Sequence, residues 1–256
     1  MKISGATVGA VMAMMMACLY APMVSAAMTS MAGDEIQLEG GQRYLNNNQW
    51  GAVDGDDGWQ QIFYNSPFDM GWRWHWPSMT NRIKAYPAMV TGWHWSSPHA
   101  ANSNLPVPIS SLHHLQTRVR YDVVANGRYD IAYDLWCHST PHARWYSFPA
   151  AEVMVWVHSV NMQPVGDYKG SLMLDGHRWR FYVGFLPAGW PVYTFVLEGS
   201  ATELSLDIQP LLGYITDTVH WDSKELFLSG IEFGSEIYSG SGEFHLRDWF
   251  LDVNRD

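Results

Sequence analysis

From Tyr129 to Trp136 the chain reads Tyr-Asp-Ile-Ala-Tyr-Asp-Leu-Trp, a pattern that a β-strand sorts cleanly and a helix does not. Successive side chains of a strand point to opposite faces. Tyr129, Ile131, Tyr133 and Leu135 therefore share one side, and Asp130, Ala132, Asp134 and Trp136 the other. The first face is core. The segment from Glu152 to Val157 repeats the logic, with Val153, Val155 and Val157 opposed to Glu152, Met154 and Trp156. A carboxylate among large, soft groups suits a cleft better than a face open to bulk solvent.

Most of the remaining sequence divides into short β segments bounded by Gly, Pro, Asn and Asp. Strands are predicted over 116–124, 178–185, 193–197, 226–232 and 242–253. One stretch departs from this pattern. From Asp207 to Trp221, Asp207 is placed to cap a helix, Pro210 falls in its first turn, and Leu211, Ile215 and Val219 recur at intervals of four. A sheet-rich chain with one helix predicts an all-β, two-sheet sandwich with that helix on the outer face of one sheet.

The N-terminus has a basic start at Lys2, an apolar run from Val8 to Leu19 and the small-residue sequence Val24-Ser25-Ala26. This is the pattern of an export signal peptide over 1–26, and the run is short for a membrane span, which needs about 20 residues. A lipoprotein leader acylated at Cys18 is a poorer match, because Met-Met-Ala precedes that cysteine. The mature chain, 27–256, then keeps one cysteine, Cys137, and no internal disulfide. Its length of about 230 residues suits one domain, and no linker or internal repeat divides it.

The formal net charge of −10, with 15 Lys and Arg scattered rather than clustered, excludes nucleic acid as a partner. The aromatic content is high: 14 Trp, 13 Tyr and 10 Phe, with clusters at Trp72, Trp74 and Trp76 and at Trp93 and Trp95. Aromatic faces complement the C–H faces of sugar rings, and packing in the core is the competing use for each ring. Alongside Glu152, the segment Phe233-Gly234-Ser235-Glu236-Ile237-Tyr238 offers a second strand-borne carboxylate. Two facing carboxylates of this kind are the usual equipment for cleaving a glycosidic bond.

With these residues in view, the sequence resembles glycoside hydrolase family 12 over about Tyr44 to Val253. The motifs fall in order. Asn47-Asn48-Gln49-Trp50-Gly51 comes first, followed by Ala85-Tyr86-Pro87 with Gly92-Trp93-His94-Trp95, then Tyr133-Asp134-Leu135-Trp136 and Glu152-Val153-Met154-Val155-Trp156. Gln163-Pro164-Val165-Gly166 and Phe233-Gly234-Ser235-Glu236 complete the series. Ile237 stands where family members often carry Pro, and early cysteine pairs common in the family are absent.

The resemblance implies a concanavalin-like β-jelly roll and a retaining endo-β-1,4-glucanase. Glu152 would be the nucleophile, Glu236 the acid and base, with Glu232 and Glu243 as its local rivals, and Asp134 a third carboxylate hydrogen-bonded to the nucleophile. The two reacting groups are expected about 5 to 5.5 Å apart, with Glu152 ionised and Glu236 holding a proton. Asn48, Trp50 and His94 match positions that bind sugar, with Met154 and Trp156 on the cleft floor. A core role for His94 is the alternative.

The implied partner is a β-1,4-glucan: soluble cellulose, mixed-linkage glucan or xyloglucan. The enzyme would need no cofactor or metal and would act as a secreted monomer. A xyloglucan-specific endoglucanase is the nearest rival, and a non-catalytic carbohydrate-binding jelly roll is the rival from another class, as is a structural exported protein. Other motifs carry less. Cys137-His138 with His142 reads as a loop and lacks a second cysteine for zinc. The Asp54, Asp56 and Asp57 turn has Asn65 where a calcium loop needs Glu, and no Gly-x-Ser-x-Gly turn is present.

Overall fold

The computed structural model describes residues 25–95, 97 and 103–255. The period-two pattern becomes, in chain order, β1 (Ala27–Thr29), β2 (Glu35–Leu38), β3 (Arg43–Asn46), β4 (Trp59–Ser66) and β5 (Asp69–Trp76). Then follow β6 (Ala88–Gly92), β7 (Val107–Pro108), β8 (Leu112–His138), β9 (Ala151–Val160) and β10 (Asp167–Leu174). The chain continues with β11 (His177–Phe185), β12 (Pro191–Leu197), β13 (Glu203–Asp207), helix α1 (Gln209–Val219), β14 (Phe227–Gly234) and β15 (Ile237–Arg255). The expected leader, 1–26, lies outside the described residues except for Ser25 and Ala26, and β1 begins at Ala27, paired with Tyr64.

Strand β8 joins two layers. Its first half pairs with β15 and β13, and its second half pairs with β14 on one side and β9 on the other. One layer thus runs β1-β4-β5-β15-β8-β13. The other, the cleft layer, runs β2-β3-β6-β14-β8-β9-β12-β11-β10. The changeover falls near Gly127, whose φ is +106°, and the β15 register shifts beside it between Ile237 and Ser239. A Cβ at Gly127 would sit 2.2 Å from the Ser239 carbonyl oxygen, so only glycine admits this crossing.

The predicted strands are all present, and two of them, 116–124 and 129–136, prove to be halves of β8. The core face read from the sequence is buried as expected: Ile131, Tyr133 and Leu135 are fully enclosed. Opposite them pack the rings of the outer layer, where Trp72 stacks on Phe244 at 4.1 Å and Trp249 meets Tyr133 at 5.9 Å and its cross-strand neighbour Phe233 at 5.6 Å. Trp72, Trp74 and Trp76 are at most 3% exposed, so this cluster is core and offers no face to sugar. Each such ring buries about 150–250 Å², worth about 4–6 kcal/mol of apolar transfer at about 25 cal/mol per Å².

Two local readings need correction. The helix starts at Gln209 rather than being capped from Asp207, because Asp207 pairs with Gln116 as the last residue of β13. Its Oδ1 still accepts the Gln209 and Leu115 amides, at 3.1 and 2.9 Å. Cys137 and His138, read as loop, end β8, and Cys137 is buried in the core. Helix α1 covers the side of the cleft layer away from the cleft, with Tyr214 against Phe181 and Phe195 at 5.5 and 6.2 Å.

Candidate active site

The face of the cleft layer turned away from the core gathers carboxylates from three strands. Asp130 and Asp134 come from β8, Glu152 from β9, Glu232 from β14, and Glu236 from the turn between β14 and β15. Register fixes their neighbours. Glu152 lies opposite Trp136, whereas Asp134 lies opposite Met154 on one side and Glu232 on the other. Like charges directly opposite one another in a sheet are destabilising, so this arrangement is costly unless protons or donors relieve it.

The donors are mostly rings. Trp190 Nε1 donates to Glu152 Oε2 at 2.7 Å, and Trp136 Nε1 donates to Glu232 Oε1 at 2.7 Å. His94 Nδ1 meets the same Glu232 oxygen at 2.7 Å. Glu236 is tied down through its backbone, its amide donating to Asp130 Oδ1 at 3.1 Å and its carbonyl accepting the Asp130 amide at 3.0 Å.

Burial dominates the acidity of the group. It pushes the Glu152 carboxyl up, opposed by the Trp190 N–H and reinforced by charge on Glu236 and Glu232. It pushes Glu236 up as well, opposed by a hydrogen bond with the Asp130 carboxyl. Asp130 and Asp134 are raised well above the ordinary carboxylate range, again by burial first and by neighbouring carboxylates second. The sequence expectation set a low Glu152 against a high Glu236. In the cleft both are raised, first by desolvation and, for Glu152, also by the charges of neighbouring acids.

Asp134 is buried on the cleft face as expected, but no hydrogen bond joins it to Glu152. Its Oδ1 has no partner, and after burial the charge on Glu152 is what raises it further. Met154 and Trp156 line the floor with Ala132, Met162, Val192 and Val196. Asn48 orients the turn after β3, its Oδ1 accepting the Trp50 amide at 3.1 Å, and Trp50 is 61% exposed. His94 is buried beneath this surface and bound to Glu232.

Four contributors escaped the sequence reading as site residues: Trp190, Trp136, Asp130 and Glu232. Asp130 and Trp136 were visible as members of the face that carries Asp134. Glu232 had entered only as a rival to Glu236, and Trp190 stands alone in a Gly-Trp-Pro turn with no pattern to mark it. The rings also form a wall at the Glu152 end. Trp95 lies 5.7 Å from Trp190 and 5.3 Å from Phe148, and Trp93 Nε1 donates to the Arg144 carbonyl at 2.8 Å. Among the described residues, no group of three or more His, Cys, Asp or Glu is arranged to hold a metal ion.

The sequence profile of glycosyl hydrolase family 12 matches residues 42–254, a span that includes every carboxylate of the cleft. The chain belongs to glycosyl hydrolase family 12. Endoglucanase S of Pectobacterium parmentieri is 42% identical to this family 12 hydrolase over 235 residues, covering 90% of this chain and 89% of that one. A probable xyloglucan-specific endo-β-1,4-glucanase A of Aspergillus terreus is 25% identical over 219 residues, 80% of this chain and 79% of its own. The native family 12 xyloglucanase from Bacillus licheniformis superposes with a TM-score of 0.84 at 36% identity, covering 89% of this chain and all of that one. The β-jelly-roll fold expected of the family 12 chain is thereby established.

Proposed function

We propose that this family 12 hydrolase is a retaining endo-β-1,4-glucanase in which Glu152 is the nucleophile and Glu236 the acid and base. The observation that carries the reading is the pairing of buried Glu152 with half-buried Glu236 in one cleft. Glu152 is oriented by the Trp190 N–H, and Glu236 is fastened by its backbone to Asp130. A binding module has no use for two raised, adjacent acids, whereas double displacement needs both.

In the first step a Glu152 oxygen bonds to the anomeric carbon as the glycosidic C–O bond breaks, and the Glu236 proton passes to the departing sugar oxygen. In the second, water attacks that carbon, Glu236 takes the water's proton, and Glu152 leaves as a carboxylate. The Trp190 N–H favours the charged form of Glu152 in which the cycle begins and ends. The floor of Met154 and Trp156 offers polarisable and aromatic surface to the sugar rings, and the exposed Trp50 offers a stacking face at the cleft's rim.

The substrate is a polymeric β-1,4-glucan, the chain acts as a single catalytic unit over 27–256, and 1–26 directs its export. Similarity to both an endoglucanase and xyloglucanases supports cellulose-type glucan and xyloglucan as the two candidate polymers. Reducing-end release from carboxymethyl cellulose and from xyloglucan, measured side by side for wild type and Glu152→Gln, tests the reading. Cleavage by wild type alone is the expected result, and the ratio of the two rates assigns the preferred backbone. Binding of both polymers without cleavage by wild type would sink the catalytic reading.

A further inference from the structure

We propose that the outer face carries a second glucan-binding site, a trough across β4, β5, β15 and β8 in which the Trp59 ring stacks on a sugar of an extended β-1,4-linked chain. The ligand class rests on the proposed function, and the site itself rests on geometry outside the cleft. Trp59 lies opposite His75, His75 opposite Ser241, and Ser241 opposite Asn126, so these side chains form one row running across the strands. Beside it runs a second row of Arg73, Glu243 and Val124. Residues directly opposite one another, and those two apart on a strand, share a face. The two rows line a trough of about 700 Å³, within the range of about 300–1,000 Å³ usual for ligand sites.

The lining selects the ligand. Trp59 is 50% exposed, and among the described residues its ring makes no hydrogen bond or ring contact, whereas Trp72, on the core side of the same layer, is stacked on Phe244. A bare aromatic face at the end of a polar row suits the C–H face of a sugar. The polar groups are aligned without being used up. His75 Nδ1 meets Ser241 Oγ at 2.7 Å, and Asn126 Oδ1 accepts the Ser241 amide at 3.4 Å, while His75 Nε2 and the Asn126 NH₂ have no partner among the described residues. Arg73 and Glu243 offset each other's charge at 2.7 Å, which suits a neutral polysaccharide over a nucleic acid or an acidic polymer. Spacing makes the same choice. Adjacent strands lie about 4.8 Å apart, close to the advance per sugar of an extended β-1,4 chain, so a glucan laid along the row meets one side chain per sugar. Three such steps carry it about 14 Å, from Trp59 to Asn126, where Val124, 82% exposed, adds apolar surface.

A polymer engaged by trough and cleft together is bound more tightly than by either alone. Two readouts separate them. Retardation in native gels containing mixed-linkage β-glucan, run in the Glu152→Gln background so that the polymer is not cut, reads both sites, and hydrolysis of an aryl cellobioside, too short to reach the trough, reads the cleft. Trp59→Ala is expected to raise the glucan concentration that halves mobility by about 3–10-fold, the worth of one aromatic contact. It is expected to leave kcat/KM on the aryl cellobioside unchanged, and Trp59→Phe, which keeps a stacking face, is expected to retain most of the retardation.

Retardation of Trp59→Ala equal to that of its parent would overturn the proposal. So would an equal loss on the aryl cellobioside, because it would place the effect in the cleft. If the alanine variant does not fold, Asn126→Ala, at the exposed far end of the row, is expected to lose about 2–3-fold in the same gels, and no loss there would refute the site. Failure of the functional reading looks different: wild type would then leave the aryl cellobioside intact, whatever the gels showed for Trp59.

Discussion

On β15, Glu243 lies opposite Arg73, and on β14, Glu232 lies opposite Asp134. These two cross-strand pairs, in layers joined by β8, separate the outer face of the molecule from its cleft. On the outer face four acids, Asp69, Asp122, Glu243 and Asp248, meet cations. Asp69 accepts from His245 and Arg247, each at 2.6 Å, Asp122 accepts from Arg247 at 2.8 Å, and Asp248 accepts from Arg118. Glu243 is held below the ordinary carboxylate range by Arg73, with His245 assisting. Burial alone would lift Asp69, but Asn65, His245 and Arg247 bring it below that range as well.

The acids of the cleft have only ring N–H groups, backbone amides and one another, and four of them are raised. The backbone scaffold is the same in both places. What differs is the residue on the facing strand, and with it the form each acid prefers. Charge is comfortable outside and costly inside, which is the condition that proton transfer to a substrate requires.

The largest test removes the reacting groups from the costly side. Glu152→Gln is expected to lower turnover by about 10⁴-fold or more, since no nucleophile remains. Glu236→Gln is expected to lower it by about 10²–10⁴-fold, the usual worth of a general acid, with polymer binding kept. Reducing-end assays and affinity gels read the two effects separately. Unchanged turnover in Glu236→Gln would transfer the acid role to Glu232.

Stability tests follow. Lys84 is fully buried and paired with Asp56, which also takes Arg82 at 2.6 Å. Asp56→Asn strands that ammonium and is expected to cost about 3–5 kcal/mol in urea unfolding at neutral pH. The Asp56 carboxyl is lowered to about 2, first by the Lys84 hydrogen bond, so its contribution is complete above about pH 4 and is lost as pH falls toward 2. The variant's deficit should shrink over that window.

Glu152 has the opposite sign. Its folded value lies above its unfolded one, so the wild type loses stability as pH rises from the unfolded value of about 4.3. Glu152→Gln is expected to be about 0.5–2 kcal/mol more stable than wild type near pH 8, with no gain near pH 4. The smallest effect belongs to the outer face: Glu243→Gln should change stability by about 1 kcal/mol or less and leave turnover alone. A loss well beyond that would erase the contrast between the two faces.

How much of this was legible depended on whether a residue's neighbours were in its own strand. Period two in β8 and β9 sorted Tyr133 and Val155 inward and Asp134 and Glu152 outward, and no long-range information was needed. The donors could not be read in this way. Trp190 reaches Glu152 across 38 residues and Asp130 reaches Glu236 across 106, distances over which sequence spacing carries no signal. The triple tryptophan at 72, 74 and 76 is another such case. Its side chains alternate with Arg73 and His75, so the pattern located a buried face correctly but left open which layer would cover it. Asp207 shows the limit at an element's edge, where a good capping residue was taken by a strand pairing with Gln116.

Strand β8 gives the molecule a division of labour in design. Along its second half, every other residue belongs to the core and the intervening ones belong to the cleft. Substitutions at 130, 134 and 136 therefore rewrite chemistry without touching 131, 133 and 135, and repacking the latter leaves the former facing substrate. The exception is a one-residue insertion or deletion beyond Gly127. It would turn the acids into the core and the tyrosines out to solvent in a single step. Change along this stretch can thus proceed by exchanging letters but not by adding or dropping them.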